Sequence, residues 1–169
     1  MTGIIGNGNG CPMDHSDYEL LMEQALIEAR KGYDEGEVPV GAVIAGPDTD
    51  IIARSHNQPI SLNDPTAHAE ILALRMAGEA LKNYRLNDIT LVVTIEPCLM
   101  CIGAAIHSRV STLVFGAFDP KGGAAGSLYN PATDARLNHR IALISGVRQK
   151  ECSDLLKDFF RSRRNLKQV

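Results

Sequence analysis

Two cysteines stand three residues apart in Pro97-Cys98-Leu99-Met100-Cys101, and a histidine and a glutamate stand two apart in His68-Ala69-Glu70. One imidazole and two thiolates suit tetrahedral zinc, and three protein ligands leave a fourth position for water. Zinc lowers the pKa of water from 15.7 to about 7. At about 1.36 kcal/mol per unit, that is on the order of 12 kcal/mol toward hydroxide. A carboxylate such as Glu70 can carry the proton that is released. The chemistry implied is hydrolytic. The H-E-x-x-H pattern of zinc proteases sets two histidines on one helix face at i and i+4. His68 and Glu70 are two apart and share no face, which makes one a ligand and the other a neighbour of the water. A structural zinc knot is the bland alternative, but such sites take four ligands, often as two close pairs. Cys11 in a Gly/Asn-rich tail and Cys152 at the start of the last helix are poor fourth ligands.

Both motifs fall where an element begins. Residues 90–95 (TLVVTI) read as a strand buried on both faces, and a helix starting near Pro97 carries the cysteine pair in its first turn. Exposed amides and the helix dipole favour thiolate there. The His68 helix is expected to start at Asp64-Pro65-Thr66, with Asp64 as cap and Pro65 in the first position, and to run to about Lys82. Upstream, Ser16 and Glu19 suggest a capping box for a helix with Leu21, Met22, Ala25, Leu26 and Ala29 at helical spacing. A hairpin follows, residues 38–45 and 51–57 around a turn at 46–50. Strands at 111–118 and 141–144 and an amphipathic helix over 151–164 complete the order αββαβαβ(β)α. The Gly-rich stretch 119–139 is long enough to read as a functional or mobile loop. This order implies a three-layer α/β/α sandwich on a central mixed five-stranded sheet.

The 169 residues suit one domain, read as 16–169 behind a disordered tail at 1–15. A chain of this length buries roughly 70% of its unfolded surface and needs no disulfides. Its four cysteines are therefore metal ligands or free thiols. No apolar run approaches the roughly 18 residues of a membrane span. Residues 1–10 lack a basic start and an apolar run, so the expected address is cytoplasmic. The net charge of −3 gives no global attraction for nucleic acid, so an RNA contact would need a local basic patch. Four Tyr, four Phe and no Trp exclude a broad base-stacking platform. Lys157, Arg161, Arg163, Arg164 and Lys167 make the C-terminus basic. Those cations could hold phosphates or simply complement the helix dipole. His56, His107 and His139 have no ligand-like spacing.

The pair of motifs, H-x-E followed by P-C-x-x-C, resembles the signature of the zinc-dependent cytidine/deoxycytidylate deaminase superfamily. Within it the chain is similar to the family of bacterial tRNA-specific adenosine deaminases. The similarity extends from about Asp17 to Arg164 through Glu37-Val38-Pro39-Val40-Gly41-Ala42-Val43, Asn57, Asp64-Pro65-Thr66-Ala67-His68-Ala69-Glu70, Asn83-Tyr84-Arg85-Leu86, Gly123-Ala124-Ala125-Gly126-Ser127-Leu128, Asn138-His139-Arg140 and Asp158-Phe159-Phe160-Arg161. Residues 128–137 look least family-like. The resemblance implies one zinc on His68, Cys98 and Cys101, with Glu70 as proton shuttle. It implies hydrolytic conversion of the wobble adenosine of an anticodon stem-loop to inosine, with arginine tRNA bearing an ACG anticodon as substrate. It places Asn57 on the flipped purine and Asp119 near the ribose of the nucleotide 5′ to the target; the bland alternatives are a turn-forming Asn and a plain loop Asp. It also implies a homodimer with each active site near the interface. A free-base or nucleoside deaminase acting on guanine, cytosine or cytidine would use the same zinc site and is the rival reading.

Overall fold

The computed structural model describes residues 13–166. The first helix, α1, spans His15–Asp34, and its N-terminus is set by Asp14. The Asp14 carboxylate accepts from Ser16 N–H at 2.8 Å and Asp17 N–H at 3.1 Å, while Asp17 accepts from Asp14 N–H at 2.9 Å. The capping box is thus Asp14–Asp17 rather than the expected Ser16–Glu19. The Ser16 hydroxyl is itself spent on Asp14, so the carboxylate two residues earlier takes the exposed amides. Residues 13–15 therefore belong to the helix start, and residues 1–12 of the expected tail, Cys11 among them, lie outside the described residues.

Strands β1 (Gly41–Ala45) and β2 (Ile51–His56) form the expected hairpin, closed by Gly46 N–H to Asp50 O at 2.9 Å. Then come α2 (Ala69–Leu81), β3 (Thr90–Ile95), α3 (Leu99–His107), β4 (Thr112–Ala117), β5 (Ala142–Ser145) and α4 (Gln149–Leu166). The sheet runs β2-β1-β3-β4-β5, with β1 antiparallel to both neighbours and β3, β4 and β5 parallel. Alternate side chains feed two cores. Ala42, Ile44, Leu91, Val93, Leu113 and Phe115 pack with Ala73, Ala77, Ile102 and Ala105 of α2 and α3. Val43, Val92 and Val114 pack with Met22, Ala25 and Leu26 of α1 and Cys152 of α4. The result is the expected α/β/α sandwich on a mixed five-stranded sheet.

One more expectation needs correction. Helix α2 starts at Ala69, not near Pro65, because His68 is extended at φ −73°, ψ 151° and ends any helix before it. Asp64 instead folds a local turn, accepting from Thr66 N–H at 2.8 Å and from its hydroxyl at 2.7 Å. The parallel crossover from β4 to β5 uses residues 118–141 with only a 3-10 turn at Pro131–Thr133, yet that stretch is pinned. Arg109 donates to Asn138 O at 3.1 Å and His139 donates to Val110 O at 2.7 Å. Among the described residues, no helix is long and apolar enough to cross a membrane.

Helix α1 lies on β1 backbone to backbone. A Cβ on Gly41 would stand 1.9 Å from Ala25 O and 2.6 Å from Ala29 N. Gly41→Ala must therefore push helix and sheet apart, and is expected to destabilise the protein by about 3 kcal/mol. The urea unfolding midpoint measures it; a midpoint equal to the parent's would contradict the close packing.

Candidate active site

Strands β2, β3 and β4 all end at one edge of the sheet, and the chain leaving each contributes to one cavity of about 680 Å³. Ligand sites in open α/β sheets form outside the carboxyl ends of the strands. Asn57 follows β2, Glu96 and Cys98 follow β3, and Asp119 follows β4. His68 and Cys98 occupy the N-cap positions of α2 and α3, with Glu70 and Cys101 in the first turns behind them. Two positive helix ends thus converge on one spot. The cavity brings His68, Glu70, Cys98, Asn57 and Asp119 together, and Cys101 lies directly behind Cys98.

The His68 Nδ1, Cys98 Sγ and Cys101 Sγ atoms form a triangle with sides of 3.6, 3.6 and 3.7 Å. Ligand atoms on a tetrahedral zinc stand roughly 3.5–3.8 Å apart. The donor set fits the ion electrostatically as well. The Cys101 thiol and then His68 hydrogen-bond to Cys98 and hold its thiol down to about 4. That same contact, followed by burial, drives Cys101 far above the thiol range. Two adjacent sulfurs ionise together only if a cation neutralises them, which a divalent metal does. The Cys98 contact raises His68. Glu70 is 2% exposed, and burial pushes its carboxyl up. Its Oε2 is the one buried side-chain oxygen or nitrogen without a hydrogen-bond partner among the described residues. Such an atom demands a partner from a ligand or water.

Asn57 is 8% exposed, and its Oδ1 accepts from Ala69 N–H at 2.8 Å, capping α2 from a different element. Asp119 Oδ1 accepts from Lys121 N–H at 2.9 Å, so this aspartate also shapes its own loop. Sequence reasoning missed the most connected carboxylate in the site. Glu96 is 2% exposed and accepts from Asp119, Ala125 and Ser127 N–H and from the Ser127 hydroxyl. Burial alone would raise it, but these bonds, that from Ser127 foremost, hold it below the usual carboxylate range. The only local signal is a charge directly after an apolar strand. Of the basic C-terminal residues, Lys157 and Arg164 line the cavity, as does Lys121. Arg161 pairs with Asp158, and Arg163 binds Gly36 O over the Phe159 ring. Lys167 lies outside the described residues.

Residues 15–117 match the family described as the cytidine and deoxycytidylate deaminase zinc-binding region. A tRNA-specific adenosine deaminase of Bacillus subtilis is 47% identical over 151 residues, 89% of this chain and 93% of the relative. That of Haemophilus influenzae is 48% identical over 89% of this chain and 87% of its own. A solved structure from a study of A-to-I editing by tRNA deaminases at the wobble position superposes with a TM-score of 0.78. It is 44% identical and covers 81% of this chain and 99% of its own. A guanine deaminase from Nitrosomonas europaea superposes at 0.66, is 25% identical, and covers 88% of this chain and 85% of its own.

Asn57→Ala would strand the buried Ala69 N–H, an expected loss of about 1–2 kcal/mol of stability. Thermal unfolding of the variant checks this; an unshifted melt would show that Asn57 does not hold the start of α2.

Proposed function

Because the chain belongs to the zinc-binding cytidine and deoxycytidylate deaminase family, and within it to the tRNA-specific adenosine deaminases, we infer that it hydrolyses the wobble adenosine of a tRNA anticodon to inosine. It is a zinc-dependent hydrolytic deaminase with one zinc per chain. One observation carries the reading of the site: a zinc-sized His–Cys–Cys triangle stands beside a buried carboxyl oxygen with no partner. His68, Cys98 and Cys101 would hold the metal, which when bound supplies Lewis-acid activation of water.

Glu70 does the proton work. Its carboxylate takes a proton from the water and hands it to N1 of adenine as oxygen adds to C6. The carboxylate then takes the remaining proton from the hydroxyl on C6 and delivers it to the amino group, so that the C6–N bond breaks, ammonia leaves and the C6 carbonyl forms. Burial keeps this carboxyl easier to protonate than a free one, which suits a group that must hold the proton between steps. The Asn57 amide would hydrogen-bond the flipped purine, since its carbonyl oxygen is committed to Ala69. Asp119 would accept the 2′-OH of the nucleotide 5′ to the target, a contact that favours RNA over DNA. Lys121, Lys157 and Arg164 are set to meet phosphates at the cavity.

The substrate is read as the anticodon stem-loop of arginine tRNA with an ACG anticodon, on family grounds, and the enzyme as cytoplasmic. The active form is read as a homodimer. In support, Ile71 of α2, Met100 and Ala104 of α3, and Tyr84, which is 72% exposed, line one largely apolar groove on the surface.

Incubating the protein with a stem-loop bearing adenosine at the wobble position, and separately with guanine and cytosine, tests the function directly. Inosine in the stem-loop supports it; ammonia from the free bases alone would favour the rival reading. Glu70→Gln is expected to keep zinc, fold and stem-loop binding while single-turnover deamination falls by at least about 10²–10⁴-fold. A rate within about tenfold of the parent would remove Glu70 from the proton path. Cys101→Ala should lose the metal and, since the ion joins two helix starts, some thermal stability. Full zinc occupancy in that variant would refute the ligand set. Replacing Lys157 and Arg164 by Gln should lower the slope of log affinity against log salt by about 1.4, from two phosphate contacts at about 0.7 each. An unchanged slope would show that α4 ends in a solvated face only.

A further inference from the structure

Glu96 is a buried carboxylate at the cavity that the proton chemistry does not use. Its Oε1 accepts from Ala125 N–H and Ser127 N–H, each at 2.9 Å; its Oε2 accepts from Asp119 N–H at 3.0 Å and from the Ser127 hydroxyl. Four donors converge on a group with about four lone-pair sites, so the carboxylate is saturated. The approach is close enough to demand glycine opposite it. A Cβ on Gly123 would stand 2.3 Å from Glu96 Cδ and 2.6 Å from Asp119 O. Gly123 also bridges to Cys98, and Ala124 N–H donates to Pro97 O at 2.8 Å. Residues 118–130 belong to no helix or strand, and these contacts tie Asp119 and residues 123–127 to the chain leaving β3.

Asp119 is the residue that gains most from this. Its backbone N–H is tied to Glu96 and its Oδ1 to Lys121 N–H, while no protein donor among the described residues bonds Oδ2. Asp119 also lines the cavity beside Glu96. We propose that Glu96 is a positioning residue that sets ribose selectivity. By gripping the backbone of Asp119, Ala125 and Ser127, it holds the Asp119 carboxylate where it accepts the 2′-OH of the nucleotide 5′ to the target. The inference rests on the deaminase reading above and deepens it, since the contacting residue is Asp119 and Glu96 acts through it.

The test compares two stem-loops, identical except for ribose or 2′-deoxyribose at the nucleotide 5′ to the target adenosine. Wild type, Glu96→Gln and Ser127→Ala are each assayed after zinc content and circular dichroism are matched. Wild type is expected to show a KM about tenfold lower for the ribose form, the size of one hydrogen bond to a charged group. Glu96→Gln keeps the side-chain volume but turns an NH₂ toward two of the four donors. Its KM for the ribose substrate should rise to near the deoxy value, with kcat changed by less than about threefold. Ser127→Ala should shift the preference in the same direction by less. A role confined to stability would move neither the ratio nor KM in folded, zinc-loaded enzyme. Full ribose preference in folded Glu96→Gln overturns the proposal. So does a wild type that treats both sugars alike. If Glu96→Gln does not fold, Ser127→Ala decides, and an unaltered preference in it counts against the role. A wild type that deaminates neither stem-loop refutes the deaminase reading itself.

Discussion

Everything at the end of this sheet is arranged around the repulsion between two sulfurs. Cys98 and Cys101 stand 3.6 Å apart, with His68 Nδ1 within 3.7 Å of both. At that separation one thiolate is stabilised by its neighbour's proton, and the second ionises only against a strong counter-charge. The fold supplies part of that counter-charge from the amino ends of α2 and α3, which meet there. A zinc ion held there would supply the rest. The i, i+3 spacing at a helix start keeps the sulfurs close, and the extended His68 at the neighbouring helix start completes the triangle. Glu70, in the first turn of α2, is buried beside this triangle, so its carboxyl is desolvated where the three donor atoms meet.

The loops around the centre are irregular, so their backbone groups must be satisfied by something other than a ladder. Buried carboxylates do this on both sides. Glu37, 2% exposed, accepts from Ile60 N–H at 3.0 Å and Ser61 N–H at 2.8 Å, fixing the stretch between Asn57 and His68. Glu96 does the same for residues 119–127. Each sits between a strand and a loop that carries a site residue. A carboxylate is suited to this because it accepts several amides at once and donates to none. Asn57 adds a third device, linking the end of β2 to the first amide of α2. The cavity is thus bounded by side-chain-to-backbone bonds that cross between elements, while the two apolar cores lie on the faces of the sheet behind it.

Much of this was legible in the chain. Periodicity and apolar runs marked the four helices and five strands, and β3 was read at its observed limits, because burial patterns are local and repeat within a few residues. The zinc-type donors were legible for the same reason: their spacing is short, and each lies where an element starts. Cap positions were less so. The start of α2 depends on His68 being extended and on Asn57 taking the Ala69 amide twelve residues away, and neither is written in Asp64-Pro65-Thr66.

What the sequence by itself determined was the order of elements, the α/β/α class and the identity of the metal-type donors with their adjacent carboxyl. Each of these is fixed by composition and spacing within one segment. Only the tertiary structure decided that Glu96 organises the Asp119 loop, since its partners lie 23, 29 and 31 residues downstream. It also decided that Arg163 is spent on Gly36 O, 127 residues away, while Lys121, Lys157 and Arg164 line the cavity. Contacts of that span form only after the sheet and its helices have closed the loops between them. No residue pattern within one segment encodes which distant amide or charge will be brought alongside.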